Sequence, residues 1–221
     1  MTQVSRENYK AGKYAKLDRF ASYAVQVELI GATQPLSVLE IGVGDSVVSE
    51  YFRRHSPIAY TTADFAADLS PDIVADVRKL PLEANSYDTV CAFEVLEHLP
   101  FSEFEGAVRE LMRVATKYVL ISLPHFNHPI KFSVKVPLVR EIKFLLQIPH
   151  PKVHVFDGQH YWEIGKRGYP ARRIRSVLSK YGVVEREFVP FENPAHRFFM
   201  IRACEKTIDT GEAACGEASW R

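Results

Sequence analysis

Cysteine is scarce in this chain: there are three in 221 residues. Cys91, Cys204 and Cys215 are an odd number at spacings that suit neither a disulfide framework nor a thiolate metal site. Reduced thiols are expected, and a small disulfide-stapled fold is excluded. No apolar run reaches the roughly 18 residues that a membrane-spanning helix needs. Met1 to Lys16 is too polar for a secretory leader, so a cytoplasmic location is expected. Charge of either sign is also lacking: 28 basic residues stand against 27 acidic ones, a net charge of +1. That removes a global electrostatic footprint for nucleic acid. With 47% hydrophobic residues the chain is not generally disordered either. There is no internal repeat, and only 11 glycines, of which Gly42 and Gly44 fall within one short turn.

What is present is an alternation of short apolar strands with amphipathic helices, the pattern of parallel strands joined by right-handed crossovers. Tyr14 to Ile30 has helical spacing (Leu17, Phe20, Ala21, Ala24, Val27) and is expected to stop at Gly31. Strands are expected at Leu36 to Ile41, Ala59 to Asp64, Asp72 to Asp76, Thr89 to Val95 and Tyr118 to Leu123. A helix from Ser46 to Arg54 follows the first strand, with the Ser46 hydroxyl as its cap. Ser102 and Glu105 read as a capping box ahead of Phe104, Ala107, Val108, Leu111 and Met112. Pro170 to Tyr181 reads as a late helix, followed by strands Val183 to Val189 and His196 to Cys204. One domain over residues 1–206 is expected, with an insertion at about 125–169 too long for an ordinary connection. Residues 207–221 are expected to be a disordered tail.

The chemistry starts at Val38-Leu-Glu-Ile-Gly-Val-Gly-Asp-Ser46. A glycine turn between strand and helix lets a ligand approach the backbone and meet the helix N-terminus. A dinucleotide loop would want a further glycine at residue 47, which is Val. Glu40 would also sit badly beside a pyrophosphate and suits a ligand with a cationic amino-acid end. A nicotinamide oxidoreductase is therefore disfavoured.

Glu40-x-Gly42-x-Gly44 resembles motif I of the class I S-adenosylmethionine-dependent methyltransferases. Asp64 at the end of the second strand, Ala75-Asp76-Val-Arg-Lys-Leu-Pro81 and Phe93-Glu-Val-Leu-Glu-His-Leu-Pro100 resemble that family's further motifs, in the same order over Leu36 to Leu123. The resemblance implies an α/β, Rossmann-like, seven-stranded, mostly parallel sheet with an antiparallel C-terminal strand pair and helices on both faces. It implies S-adenosyl-L-methionine as cofactor. Asp64 would then hold the ribose hydroxyls, Asp76 the adenine amino group and the Val77 amide the adenine ring. The Gly42 to Gly44 backbone and the Phe93 or Glu94 carbonyl would hold the methionine end. Ser46 departs from the third glycine that many members carry.

A sulfonium methyl is already activated, so such an enzyme mainly aligns the acceptor and excludes water. Where a base is needed, His98, His125, His160 and Glu163 are the candidates, because they lie after the fourth and fifth strands or in the insertion. No metal is expected: His125-x-x-His128 and His150-x-x-x-His154 imitate ligand spacing without cysteines in support. Leu138 to Ile148, with Lys131, Phe132 and Lys135 before it, reads as an apolar helix serving as a lid or touching a membrane interface at 131–148. A small-molecule or lipid-like acceptor is the leading expectation. A cofactor-binding module without catalysis is one alternative. The other is an RNA methyltransferase using Lys166, Arg167, Arg172, Arg173 and Arg175, although the Asn/Asp-Pro-Pro-aromatic stretch of familiar nucleic-acid amine methyltransferases is absent after strand four.

Overall fold

The computed structural model describes Tyr9 and residues 16–204; the expected tail at 207–221, Cys215 and the start of the leading helix at Tyr14 lie outside the described residues. In chain order the elements are α1 (Leu17–Ala32), β1 (Ser37–Ile41), α2 (Val47–His55), β2 (Ala59–Asp64), β3 (Ile73–Val74), β4 (Tyr87–Phe93), α3 (Phe101–Val114) and β5 (Ala115–Pro124). A hairpin of β6 (His128–Val134) and β7 (Ile142–Ile148) follows, then α4 (Ala171–Leu178), β8 (Gly182–Phe188) and β9 (His196–Ala203).

Seven strands form one sheet in the order β3-β2-β1-β4-β5-β9-β8. β3 to β5 pair in parallel through β2, β1 and β4, and β9 runs antiparallel to both β5 and β8. Both faces are covered, which is why the strands read as nearly continuous apolar runs. Leu39, Ile41, Val90, Ala92, Val119 and Ile121 pack with Phe104, Val108 and Leu111 of α3 and Ile174 and Leu178 of α4. Their alternating neighbours Val38, Cys91, Phe93 and Leu120 pack on the opposite face with Leu29 and Ile30 of α1 and Val48 and Phe52 of α2. The chain reverses direction across the sheet between β1 and β4, so the strand carboxyl ends open a crevice there.

Several local signals were not followed. Gly31 does not stop α1, which runs to Ala32 while the Thr33 hydroxyl donates to the Ile30 carbonyl at 2.8 Å. Ser46 stands before α2 in a left-handed conformation (φ 62°) without a capping bond. The expected capping box is not formed: Pro100 precedes α3, and the Glu105 carboxylate instead accepts from Lys180 and from the Tyr181 hydroxyl at 3.0 Å. Cys91 is free and buried, whereas Cys204 is disulfide-bonded, which corrects the expectation of reduced thiols.

The largest correction concerns Leu138 to Ile148, which contains no helix. Ile142–Ile148 pairs antiparallel with His128–Val134, placing Phe132 opposite Phe144 and Ile130 opposite Leu146. The ribbon's inner face is tied down by Lys143 to Glu192 (2.6 Å) and Lys131 to the Glu192 carbonyl (3.0 Å). Its outer face shows Ile130, Phe132, Val134, Ile142, Phe144, Leu146 and Ile148 to solvent. Among the described residues no helix is long and apolar enough to cross a membrane.

The end of the insertion joins the main core. Trp162 and Ile164 are fully buried with α3 and α4, and Phe101 and Phe104 meet the indole at 5.0 Å. Truncation of an aromatic so placed costs about 3 to 5 kcal/mol. Trp162→Ala is therefore expected to shift the urea midpoint of the whole domain in one transition. A separate early transition, with the main midpoint unchanged, would show that the insertion unfolds by itself.

Candidate functional site

The crevice at the carboxyl ends of β1, β2 and β4 is a cleft of about 660 Å³, counting its open mouth. Gly42 and Gly44 floor it, Asp64, Phe65, Ala66, Leu69, Ala75 and Val77 line one end, and Phe93, Glu94, Val95 and His98 line the other. Gly42 is needed for two reasons: its φ is +87°, and an added Cβ would stand 2.5 Å from a Val95 methyl. Asp64, 9% exposed, accepts from the Val43 amide through one carboxylate oxygen and from the Ala66 amide through the other, both at 2.9 Å. Each oxygen keeps a lone pair for a ligand hydroxyl.

Glu40 lies behind the glycine turn in an adjoining hollow that shares Gly42, Gly44 and Phe93 with the cleft. It is 6% exposed and accepts from the Tyr60 hydroxyl at 3.1 Å. Burial pushes its pKa up to about 8, against the smaller opposing effect of the Tyr60 bond. Asp76 does not line the cleft. Its carboxylate is held by Arg78 (2.5 Å), which also reaches Glu103 (2.8 Å), while Val77 next to it does line the cleft.

Residues 39–121 match the model of a methyltransferase-domain family. Over that stretch the chain carries a methyltransferase domain. Solved structures with the same fold include the N-methyltransferase NodS of Bradyrhizobium japonicum in complex with S-adenosylhomocysteine. It is 10% identical, with a TM-score of 0.57 over 90% of this chain and 96% of that one. The magnesium protoporphyrin IX methyltransferase of Synechocystis, with bound S-adenosylmethionine, is 16% identical, with a TM-score of 0.56 over 90% of this chain and 88% of that one. The 1,6-didemethyltoxoflavin N1-methyltransferase of Burkholderia thailandensis is 13% identical, with a TM-score of 0.57 over 86% of this chain and 79% of that one. No curated protein sequence matches the chain significantly.

The turn after β4 meets the insertion. The Tyr161 amide donates to the Glu97 carbonyl (2.9 Å) and the Trp162 indole to the Leu99 carbonyl (3.1 Å). These bonds bring three of the four candidate bases together. The His98 and His160 rings lie 5.2 Å apart, and His160 Nδ1 donates to Glu163 at 3.0 Å. His125 is set apart, sharing a second hollow with Glu163.

Their electrostatics differ. Burial lowers the pKa of His98, and burial together with Arg197 lowers that of His125 to about 4. Burial would also lower His160, but its bond to Glu163 and the charges of Asp157, Glu163 and Glu94 outweigh burial and raise it. Two residues to which sequence reasoning gave no role join this end. Glu97 is 0% exposed, and its two carboxylate oxygens have no hydrogen-bond partner among the described residues. His196, contacting Glu94 at 3.4 Å and Ser22 at 2.9 Å, links β9 to α1 beneath the cleft. Glu97 falls within the Phe93 to Pro100 stretch without a role assigned to it, whereas His196 carries no local sequence signal. Of the basic cluster, Arg173 stacks on Phe101 (4.4 Å), Lys166 on Phe126 (3.6 Å), and Arg175 pairs with Glu187, so three of its five charges are engaged within the chain.

An acid whose folded pKa is raised gives most stability when both states are protonated, below about 4.5, and loses it as pH climbs through about 8. Glu40→Gln removes that loss. The variant's stability advantage over the wild type is expected to grow by a few kcal/mol between pH 5 and 8. Denaturation midpoints across that range check it, and parallel curves would contradict a raised Glu40.

Proposed function

We propose that the cleft holds S-adenosyl-L-methionine with its adenine end at Val77 and Ala75, its ribose hydroxyls on Asp64 and its methionine end over Gly42 and Gly44. The observation that carries this reading is one continuous cleft from Asp64 to His98, across the strand ends where the chain reverses. Glu40, held protonated by burial in the adjoining hollow, would ionise when a cationic ammonium group enters. The Phe93 and Glu94 carbonyls flank the same end. Asp76 contributes to the adenine site only by giving up Arg78.

The methyl faces the end lined by Glu94, Val95 and His98. An acceptor lone pair there forms the new bond to the methyl carbon as the carbon–sulfur pair returns to sulfur, leaving S-adenosylhomocysteine. His98, His160, Glu163 and His125 line the path by which an acceptor proton leaves. Residues 1–206 act as one domain in this reading, with 125–169 as the acceptor-facing part.

The acceptor in this reading is a small or lipid-like molecule, and the outward apolar face of the β6–β7 ribbon favours a lipid-like one. Seven exposed aliphatic and aromatic side chains on one face, with lysines on the other, suit contact with an apolar substrate or the membrane surface that holds it. The engagement of Arg173, Lys166 and Arg175 disfavours an RNA acceptor.

Calorimetric titration with S-adenosylhomocysteine, with NAD as control, tests the cofactor. Binding is expected for the first only, and Asp64→Ala is expected to weaken it by about 1.5 to 3 kcal/mol, as for a lost charged hydrogen-bond partner. NAD binding instead, or equal binding by the variant, overturns the assignment. For the ribbon, Phe132→Asp with Phe144→Asp is expected to abolish sedimentation with anionic lipid vesicles while leaving S-adenosylhomocysteine affinity unchanged. Unaltered sedimentation would remove the ribbon from acceptor contact.

A further inference from the structure

A side chain such as Glu97 needs an explanation. An ionised carboxylate with no exposure and no hydrogen-bond partner costs several kcal/mol. Protonation does not resolve the problem, because a carboxylic acid must still donate its hydroxyl, and neither oxygen has a partner. Glu94 adds negative charge nearby. Arg19 opposes it from a distance, and what such a group lacks is a cation in contact with its oxygens.

The two imidazoles beside it are prepared for one. His98 Nδ1 donates to the Gln159 carbonyl at 3.0 Å and His160 Nδ1 donates to Glu163 at 3.0 Å, which leaves both Nε2 atoms as lone-pair donors. Outer partners of this kind, a carbonyl on one imidazole and a carboxylate on the other, fix the tautomer and orientation of metal-binding histidines. Glu97, His98 and His160 present ligand atoms that all lie within 4.8 Å of one another. Ligands about 2.1 Å from a shared ion stand roughly 3 to 4 Å apart, so small side-chain rotations close the set. Asp157 is the remaining acid in the cluster. It is exposed and accepts from the Gln159 and His160 amides, which makes it a brace for this loop.

We propose that Glu97, His98 and His160 bind a divalent transition ion such as Mn2+ or Zn2+, with Glu163 orienting His160 and open positions facing the cleft. Two imidazoles and one carboxylate are a donor set for such ions, and three protein ligands leave room for an exogenous oxygen. The site differs from the His125, His128, His150 and His154 spacings visible in the sequence. It joins residues adjacent in the chain to one 62 positions on, brought together by the Tyr161 and Trp162 bonds.

The ion's role rests on the methyltransferase reading, because His98 also lines the cofactor cleft. A hydroxyl or phenol of the acceptor that binds the ion loses its proton to solvent more readily. Its oxygen pair then forms the bond to the methyl carbon, and the carbon–sulfur pair leaves with sulfur. His98 and His160 are ligands in that arrangement, and the acceptor is an oxygen-bearing one.

The test is calorimetric titration of the chelator-treated full-length chain with Mn2+ and, separately, Zn2+, each alongside a titration with S-adenosylhomocysteine. One ion per chain is expected, with affinity reduced tenfold or more in Glu97→Gln and in His160→Ala, and unchanged in the His128→Ala, His150→Ala double variant. His160 is partly exposed, so its truncation is expected to keep the fold, shown by unaltered S-adenosylhomocysteine affinity. No saturable ion binding, wild-type ion affinity in His160→Ala, or loss confined to the His128 and His150 variant each overturns the site. Ion binding without S-adenosylhomocysteine binding would keep the metal site and overturn the methyltransferase reading instead.

Discussion

Two hydrogen bonds fix the far end of the cleft: the Tyr161 amide on the Glu97 carbonyl and the Trp162 indole on the Leu99 carbonyl. Without them the 40-odd residues after β5 would be a long connection free to pay its entropy elsewhere. With them, Trp162 enters the core against Phe101 and Phe104, and the neighbouring His160 and Glu163 are held against the turn after β4. The parallel sheet provides the cleft, and this seam provides what stands at its end.

The frame was legible because its signals are local. Short strands buried on both faces read as apolar runs, and the turn at Gly42 needs a residue without a side chain whatever surrounds it. The acidic pair Glu40 and Asp64 sits at strand ends that the pattern had already located. At Glu105 a distant partner prevailed over the local preference, and at Ser46 and Asp76 a different local arrangement did. Glu105 left the helix start for Lys180 and Tyr181, and Ser46 took a left-handed turn where a cap was expected. Asp76 was taken by Arg78, two residues on.

The ribbon illustrates the limit best. Ile142-Lys-Phe-Leu-Leu-Gln-Ile148 is apolar at five of seven positions and rich enough in Leu to read as a helix. Its strand identity depends on His128–Val134, whose pairing no period within the segment records. The Glu97, His98 and His160 cluster was hidden for the same reason: its third member is supplied by the insertion. Buried acids such as Glu40 and Glu97 reduce stability, and a fold retains such groups where they serve a site.

The most direct test of the central claim is a crystal structure of the chain with S-adenosylhomocysteine. The ribose hydroxyls are predicted to lie on Asp64, the adenine against Val77, and the sulfur beside the turn formed by Glu94 and Val95, facing His98. Adenine at the His98 end, or the ligand lodged in the hollow between His125 and Glu163, would contradict the cleft as the cofactor site.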